Sequence, residues 1–142
     1  MKTSSRNTFT GKIVNIIFGG LNDEVEIELA SGEKICGQLS HSSLERLGLA
    51  VGAEAMAMVK ATEILIVNDN DDYEVCCRNQ YSGKVTKLTR GFVQGEVLLE
   101  TPAGLQINAS ITLEGANRLR LERGCLATAM FKSSNVMIAI KK

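Results

Sequence analysis

Tryptophan is absent from the 142 residues, proline and histidine occur once each, and aromatic side chains make up only 4%. So few rings argue against a platform on which successive bases stack, and Phe9, Phe18, Tyr81 and Phe92 mostly lie in apolar runs that core packing explains. An excess of one charge is missing as well, since 16 Lys and Arg balance 16 Asp and Glu. The long-range field that draws proteins onto nucleic acid or anionic lipid is therefore not expected. No apolar run approaches the roughly 20 residues of a membrane span, and Met1-Lys2-Thr3-Ser4-Ser5 lacks the apolar core of a signal peptide. These absences predict a soluble, cytoplasmic protein with neither a nucleic-acid nor a membrane partner.

Chemistry-bearing motifs are equally sparse. The four cysteines, Cys36, Cys76, Cys77 and Cys125, have no C-x-x-C spacing, so reduced thiols are expected, with Cys36 and Cys125 as buried filler. His41 stands among Ser40, Ser42 and Ser43 with no acidic partner at a diagnostic spacing, and reads as a capping-loop residue. No Walker or dinucleotide fingerprint occurs, so an enzyme is not expected. The acidic run Asn68-Asp69-Asn70-Asp71-Asp72 lacks the glycine and terminal glutamate of an EF-hand loop, and reads as a linker that holds no bare metal cation.

What is present is a duplication. Ser4-Ser5-Arg6-Asn7 returns as Cys76-Cys77-Arg78-Asn79, and matching each residue with the one 72 places later holds without a gap from Ser4 to Val67. Arg6/Arg78, Gly11/Gly83, Lys12/Lys84, Gly19/Gly91, Glu24/Glu96, Gly52/Gly124 and Lys60/Lys132 are among the identical pairs. Glycines and spaced apolar residues follow from a shared fold. Paired Arg, Asn and Lys are harder to explain that way, because exposed charges add little stability. The repeats divide the chain into domains 1–67 and 76–142 with a linker at 68–75, each marginal alone by its size.

Within the first repeat, Thr8 to Ile17 reads as a strand in which Gly11 marks a bulge or a close approach. Val25, Ile27 and Leu29 alternate with Glu24, Glu26 and Glu28, the period-two pattern of a strand with one wet face. Ser31-Gly32 turns this strand into a third at Lys34 to Leu39. Ser42 to Leu49 has a serine cap, Ser42 or Ser43, followed three residues later by Glu45 or Arg46, then leucines at helical spacing and a glycine stop, which predicts one short helix. Strands follow at Glu54 to Lys60 and Ile64 to Val67. The second repeat predicts strands near Tyr81 to Leu88, Glu96 to Leu99, Leu105 to Ile111, Cys125 to Phe131 and Asn135 to Ile140. Its helix falls around Glu114 to Leu121, and Pro102 marks an exposed edge. Five strands with a helix between the third and fourth is the order of the OB-fold, so the chain reads as all-β, with two tandem OB-like five-stranded barrels.

The succession Ser4-Ser5-Arg6-Asn7, Gly11, Gly19-Gly20-Leu21-Asn22-Asp23-Glu24-Val25, Ser40 to Ser43, Leu47-Gly48-Leu49, Gly52 and Lys60-Ala61-Thr62 resembles the molbindins. These are cytoplasmic molybdate-binding proteins built from Mop (TOBE-type) domains, and the resemblance covers both repeats. It implies molybdate or tungstate as the bound ligand, storage and homeostasis of that anion as the function, no catalytic cofactor, and a homotrimer with anions where domains meet. Carried over, one class of oxyanion site would use Ser4, Arg6, Ser40, Ser43, Lys60 and Ala61 in the first repeat. Its counterpart in the second would use Cys76, Arg78, Thr112, Lys132 and Ser133. A second class, near a threefold axis, would use the loop with Gly19, Gly20 and Asn22 and its copy with Gly91, Val93 and Gln94.

Ligand chemistry agrees with the resemblance. A tetrahedral dianion only accepts hydrogen bonds, so its site needs donors on several sides, compensating positive charge and no nearby carboxylate. Arg6 with Lys60 and Arg78 with Lys132 supply charge, while serine hydroxyls and amides at the helix start supply neutral donors. The second repeat departs from the pattern, with Cys76 for serine, Gly115 for Ser43, Phe92 for a small residue, Gln94 for Asn22 and a carboxylate at Glu114. The first copy carries Asp23 where the family has alanine. Unequal sites are expected, the first being the stronger. The other reading is a regulatory or structural Mop-like module with weak or lost anion binding that acts through a protein partner.

Overall fold

The computed structural model describes residues 1–68 and 72–142; the acidic stretch read as a linker falls partly on residues 69–71, outside the described residues. Ten strands, two short helices and two 3₁₀ turns follow the duplication in order. The first repeat gives β1 (Asn7–Ile17), β2 (Asn22–Leu29), β3 (Lys34–Ser40), α1 (His41–Leu47), β4 (Glu54–Val59), a 3₁₀ turn at Ala61–Glu63 and β5 (Leu65–Asn68). The second gives β6 (Asn79–Arg90), β7 (Gln94–Glu100), β8 (Gln106–Thr112), α2 (Leu113–Arg118), β9 (Leu126–Phe131), a 3₁₀ turn at Ser133–Asn135 and β10 (Met137–Ala139). Neither turn is apparent from periodicity, because three residues are too few to establish a repeat.

Each sheet is antiparallel and five-stranded, but the fifth strand does not come from the same repeat. The orders are β10-β4-β1-β2-β3 and β5-β9-β6-β7-β8. Met137, Ile138 and Ala139 pair with Met58, Ala57 and Met56, while Leu65 to Asn68 pair with Met130 to Ala127. The compact units are accordingly Met1–Val59 with Lys132–Lys142, and Lys60–Phe131. The contiguous halves 1–67 and 76–142 remain units of sequence, yet as units of packing they are corrected: each surrenders its last strand. Backbone pairing accounts for this, since β4 and β9 each need a partner on their outer edge and either copy of the final strand meets that need.

In the first unit, Val25 and Ile27 of β2, Ile13 of β1 and Ile35 of β3 are essentially inaccessible to solvent, on the inward phase of the alternation. Burying each contributes about 2 kcal/mol. Gly11 is a site of close approach rather than a bulge: a Cβ there would run into the Glu28 carbonyl oxygen across the β1–β2 ladder. The bulge sits three residues on, where Val14 is skipped between the Ile13↔Ile27 and Asn15↔Glu26 pairs. Gly37 of β3 lets Ile138 of β10 in, since an added Cβ would lie 2.8 Å from the Ile138 Cδ1. Through that contact the two edge strands of the unit close towards a barrel.

The second unit is built alike, around Val85, Val97, Leu99, Ile107 and Phe131, with the equivalent bulge at Thr86 and Tyr81 stacked on Phe131 at 5.7 Å. Pro102 lies in the turn between β7 and β8, so it marks a hairpin end and not a strand edge. Cys36 is buried as expected; Cys125 is only half-buried, because it sits in the turn leading to β9. No described helix is long and apolar enough to cross a membrane.

Removing residues 137–142 should expose the outer edge of β4 and leave the β9 edge covered. Hydrogen exchange should then accelerate at Met56 to Met58 and stay slow at Thr128 to Met130. Equal acceleration at both would contradict the exchanged pairing.

Candidate functional site

The hydroxyl-rich end of the first unit is made by β3 running straight into α1. Ser40 ends the strand with extended backbone and caps the helix, its Oγ accepting from the Ser43 amide. The cap is therefore Ser40, ahead of the Ser42 or Ser43 expected from spacing, and losing it would cost about 1 kcal/mol. The Ser40 hydroxyl also lies 2.8 Å from the Ser43 Oγ and 3.2 Å from the Ser42 Oγ, so three hydroxyls share one small patch. Gly48 ends α1 in the left-handed region at φ 64°, the predicted glycine stop.

Strand exchange decides which lysine shares a unit with this patch. The turn Ser133–Asn135 packs on β3, and Val136 behind it seats over Gly37. Lys132 and Ser133 thus belong with Ser40 and Ser43, while Lys60 and Ala61 belong to the unit of β8 and Thr112. Ser40 and Ser43, which the carried-over site groups with Lys60 and Ala61, therefore lie in the other unit from that lysine and alanine. The equivalent patch of the second unit is poorer. Thr112 caps α2 by accepting from the Gly115 amide at 3.0 Å, Gly115 has no hydroxyl, and Ala61 replaces Ser133.

Ser4 and Arg6 are exposed just ahead of β1, and Cys76 and Arg78 are exposed just ahead of β6. Ser5, half-buried beside them, donates to the Asn7 and Val59 carbonyls, and the Cys77 thiol keeps a weaker copy of that contact to the Asn79 carbonyl at 3.7 Å. Not all helix-start amides point outward. The His41 amide donates to the Leu21 carbonyl and the Leu113 amide to that of Val93, which ties each helix to the preceding hairpin loop. Matching surface cavities, one over Gly11, Lys12 and Glu28 and one over Gly83, Lys84 and Glu100, contain none of the candidate oxyanion residues.

Gly19 and Gly20 lie between β1 and β2 with Asn22 opening β2, and Gly91 and Val93 lie between β6 and β7 with Gln94 opening β7, all exposed. The Gln94 side-chain oxygen accepts from the Ser110 hydroxyl at 2.8 Å. Asp23, next to Asn22, is buried completely. One carboxylate oxygen accepts from the Gly19 amide at 3.0 Å; the other lies 2.6 Å from His41 Nδ1. His41 Nε2 reaches Glu45 at 3.0 Å, and the Phe18 ring stands edge-on to the imidazole. The expectation that His41 lacks an acidic partner is overturned.

Eighteen residues separate His41 from Asp23, a distance in sequence that no local motif spans. A signal was nevertheless present: Asp23 occupies the same phase as Val25, Ile27 and Leu29, and a carboxylate on the apolar face of a strand must find a partner.

Burial works to raise the Asp23 carboxyl, but the Gly19 hydrogen bond, the His41 hydrogen bond and the His41 charge together hold it below the ordinary value of 3.8. The hydrogen bond to Asp23 leads in raising His41 above 6.5; desolvation opposes this, and the charges of Asp23 and Glu45 support it.

These geometries accompany similarity to known proteins. The TOBE domain model matches residues 3–66 and 77–138. The chain belongs to the TOBE-domain family. A solved structure of the cytoplasmic molybdate-binding protein ModG, with molybdate bound, is similar at a TM-score of 0.94 and 35% identity, covering 99% of this chain and 100% of that one. The molybdenum transport protein ModE of Herbaspirillum seropedicae is 34% identical over 142 residues, all of this chain and 53% of that protein. Molybdenum-pterin-binding protein 2 of Clostridium pasteurianum is 42% identical over 67 residues, 47% of this chain and 98% of that protein. This TOBE chain spans about half the length of the first curated relatives it matches.

The Asp23–His41 contact gives a signed pH dependence. A raised histidine contributes stability that is full below about pH 6.5 and is lost as pH rises through the raised value. A lowered carboxyl contributes stability that is full above about pH 3.8 and is lost as pH falls through the lowered value. The melting-temperature difference between the native chain and His41→Gln should therefore be widest between those limits and narrow towards alkaline pH. A constant difference across the range would contradict the contact.

Proposed function

We propose that this protein binds molybdate, and tungstate with it, and serves to store and buffer the anion without transforming it. The full-length match to a molybdate-bound protein carries this reading. The donor chemistry supports it: Ser40, Ser43 and Ser133 can offer hydroxyl donors to a dianion that only accepts, and Lys132 can supply compensating charge. Arg6 and Ser4 are the further ligands proposed for the first unit. In the second, Arg78, Lys60, Ala61, Thr112 and Cys76 take the corresponding places.

Strand exchange sharpens the expected inequality between units. The first unit combines three clustered hydroxyls with Lys132 and Ser133; the second combines one capping threonine with Lys60 and Ala61. A thiol at Cys76 is a poorer donor than a hydroxyl and, once ionised, would repel the anion. The loops around Gly19, Gly20 and Asn22, and around Gly91, Val93 and Gln94, are proposed as a second class of site in a cytoplasmic homotrimer.

A second reading has its own support in the half-length match to ModE. In it the chain is a ligand-sensing module that acts through a protein partner, and anion binding serves regulation and not storage. Both readings require binding, and they part on whether a partner's affinity responds to the anion.

Calorimetric titration with molybdate, tungstate and sulfate, alongside the oligomer mass, tests the shared requirement. Micromolar or tighter binding of molybdate and tungstate is expected, with sulfate, which is smaller, much weaker. Absence of heat and of thermal stabilisation with all three anions would overturn it. Lys132→Ala should weaken the tighter class of site by about tenfold or more, the scale of one charge-assisted contact. Arg6→Ala should cost more affinity than Arg78→Ala; equal losses would refute the inequality.

A further inference from the structure

Asp23 is a buried carboxylate inside a unit whose proposed ligand is an anion, and the oxyanion reading alone gives it no role. Its two oxygens are used in different directions. One holds the amide of Gly19 in the β1–β2 loop; the other holds His41, the first residue of α1. The backbone repeats the connection, with the His41 amide on the Leu21 carbonyl of the same loop. Loop and helix start are thereby fastened to each other by a charged pair whose cationic half is a histidine, held above its ordinary value by the hydrogen bond to Asp23.

The second unit has the backbone tie without the titratable one. Gly95 stands at the place of Asp23 and Leu113 at that of His41, and the Gly91 amide bonds to the Gln94 carbonyl. Its hairpin is fastened to its helix by Arg90, which donates to the Asn117 side chain at 2.7 Å and the Leu121 carbonyl at 3.3 Å. An arginine keeps its charge throughout the physiological range.

The charged surroundings of His41 can be set out element by element. From β2 comes Asp23; Glu24, next along, receives the Cys36 thiol. From β3 come that Cys36 thiol and Lys34, which stands opposite Glu28 in the backbone register at the far end of the strand. From α1 itself comes Glu45, with Arg46 exposed in the last turn. The imidazole thus faces two carboxylates, one of them inaccessible to water, and the aromatic edge of Phe18. A proton on His41 neutralises the buried charge; its loss leaves an uncompensated anion between the loop and the serine patch, which repels a second anion.

Resting on the oxyanion-binding reading above, we infer that Asp23 and His41 form a proton-operated latch. Protonated His41 holds the Gly19–Asn22 loop to the serine patch and permits anion capture in the first unit, deprotonation weakens that capture, and the second unit is not gated. Asp23 and His41 act here as positioning residues, through the loop and the helix start, without touching the ligand.

His41 is the single histidine of the chain, so its ring protons report the latch without assignment ambiguity. The full chain would be titrated by proton NMR between about pH 5 and pH 9, with and without saturating molybdate, spanning the histidine range. The midpoint should lie above that of an ordinary histidine and rise further, by about one pH unit, when the anion is bound. By linkage this corresponds to about tenfold weaker capture once the proton is lost.

His41→Gln and Asp23→Asn, the second keeping an acceptor for the Gly19 amide, should both flatten the pH dependence of molybdate binding measured by calorimetry. Binding that occurs in the native chain while the His41 midpoint stays put would overturn the latch and leave the binding reading intact. Binding that keeps the native pH profile in His41→Gln would overturn it equally, whatever Asp23→Asn does to folding. Absence of molybdate binding at every pH would overturn both.

Discussion

Pairing of β10 with β4, and of β5 with β9, decides the composition of everything else in the molecule. A strand edge presents a row of amides and carbonyls that must be satisfied, and each of these edges takes the final strand of the other repeat. Because a 3₁₀ turn precedes each final strand, exchanging the strand carries the turn along. Lys132 and Ser133 thereby fall in the unit of Ser40 and Ser43, and Lys60 and Ala61 in the unit of Thr112. The residues proposed to bind the anion in either unit are consequently drawn from both repeats.

Duplication with divergence also explains why the units differ in chemistry while agreeing in fold. The features that shape the barrel survive in both copies: the close approach at Gly11 and Gly83, the bulge three residues later, the hydroxyl cap on the helix. The residues proposed to address a ligand have drifted apart. Ser43 has become Gly115, Ser4 has become Cys76, and Asp23 with His41 stands where the second copy has Gly95 and Leu113. A fold is held by many small apolar contributions, so it tolerates such drift. A dianion site depends on a few donors, and changes with each one.

Much was legible from residue order. Period-two alternation in β2, the turn at Ser31-Gly32, the glycine stop at Gly48 and the helix between the third and fourth strands are local consequences of local residues. The structure shows them within a residue or two. The cap was placed too late because Ser40, Ser42 and Ser43 are all competent, and only the point at which β3 stops pairing selects among them. The three-residue turns left no periodic trace at all.

Residue order by itself determined the strands, the barrel class, the duplication and the inventory of hydroxyl and basic residues suited to an oxyanion, because each depends on neighbours within a few positions. Tertiary structure alone decided which lysine shares a unit with which serines, and that Asp23 meets His41. Those associations join residues of different strands or different repeats. Where two copies of a strand can complete the same edge with nearly the same backbone bonds, the choice between them is made by packing such as that of Ile138 into the space over Gly37, and not by the pattern of either strand.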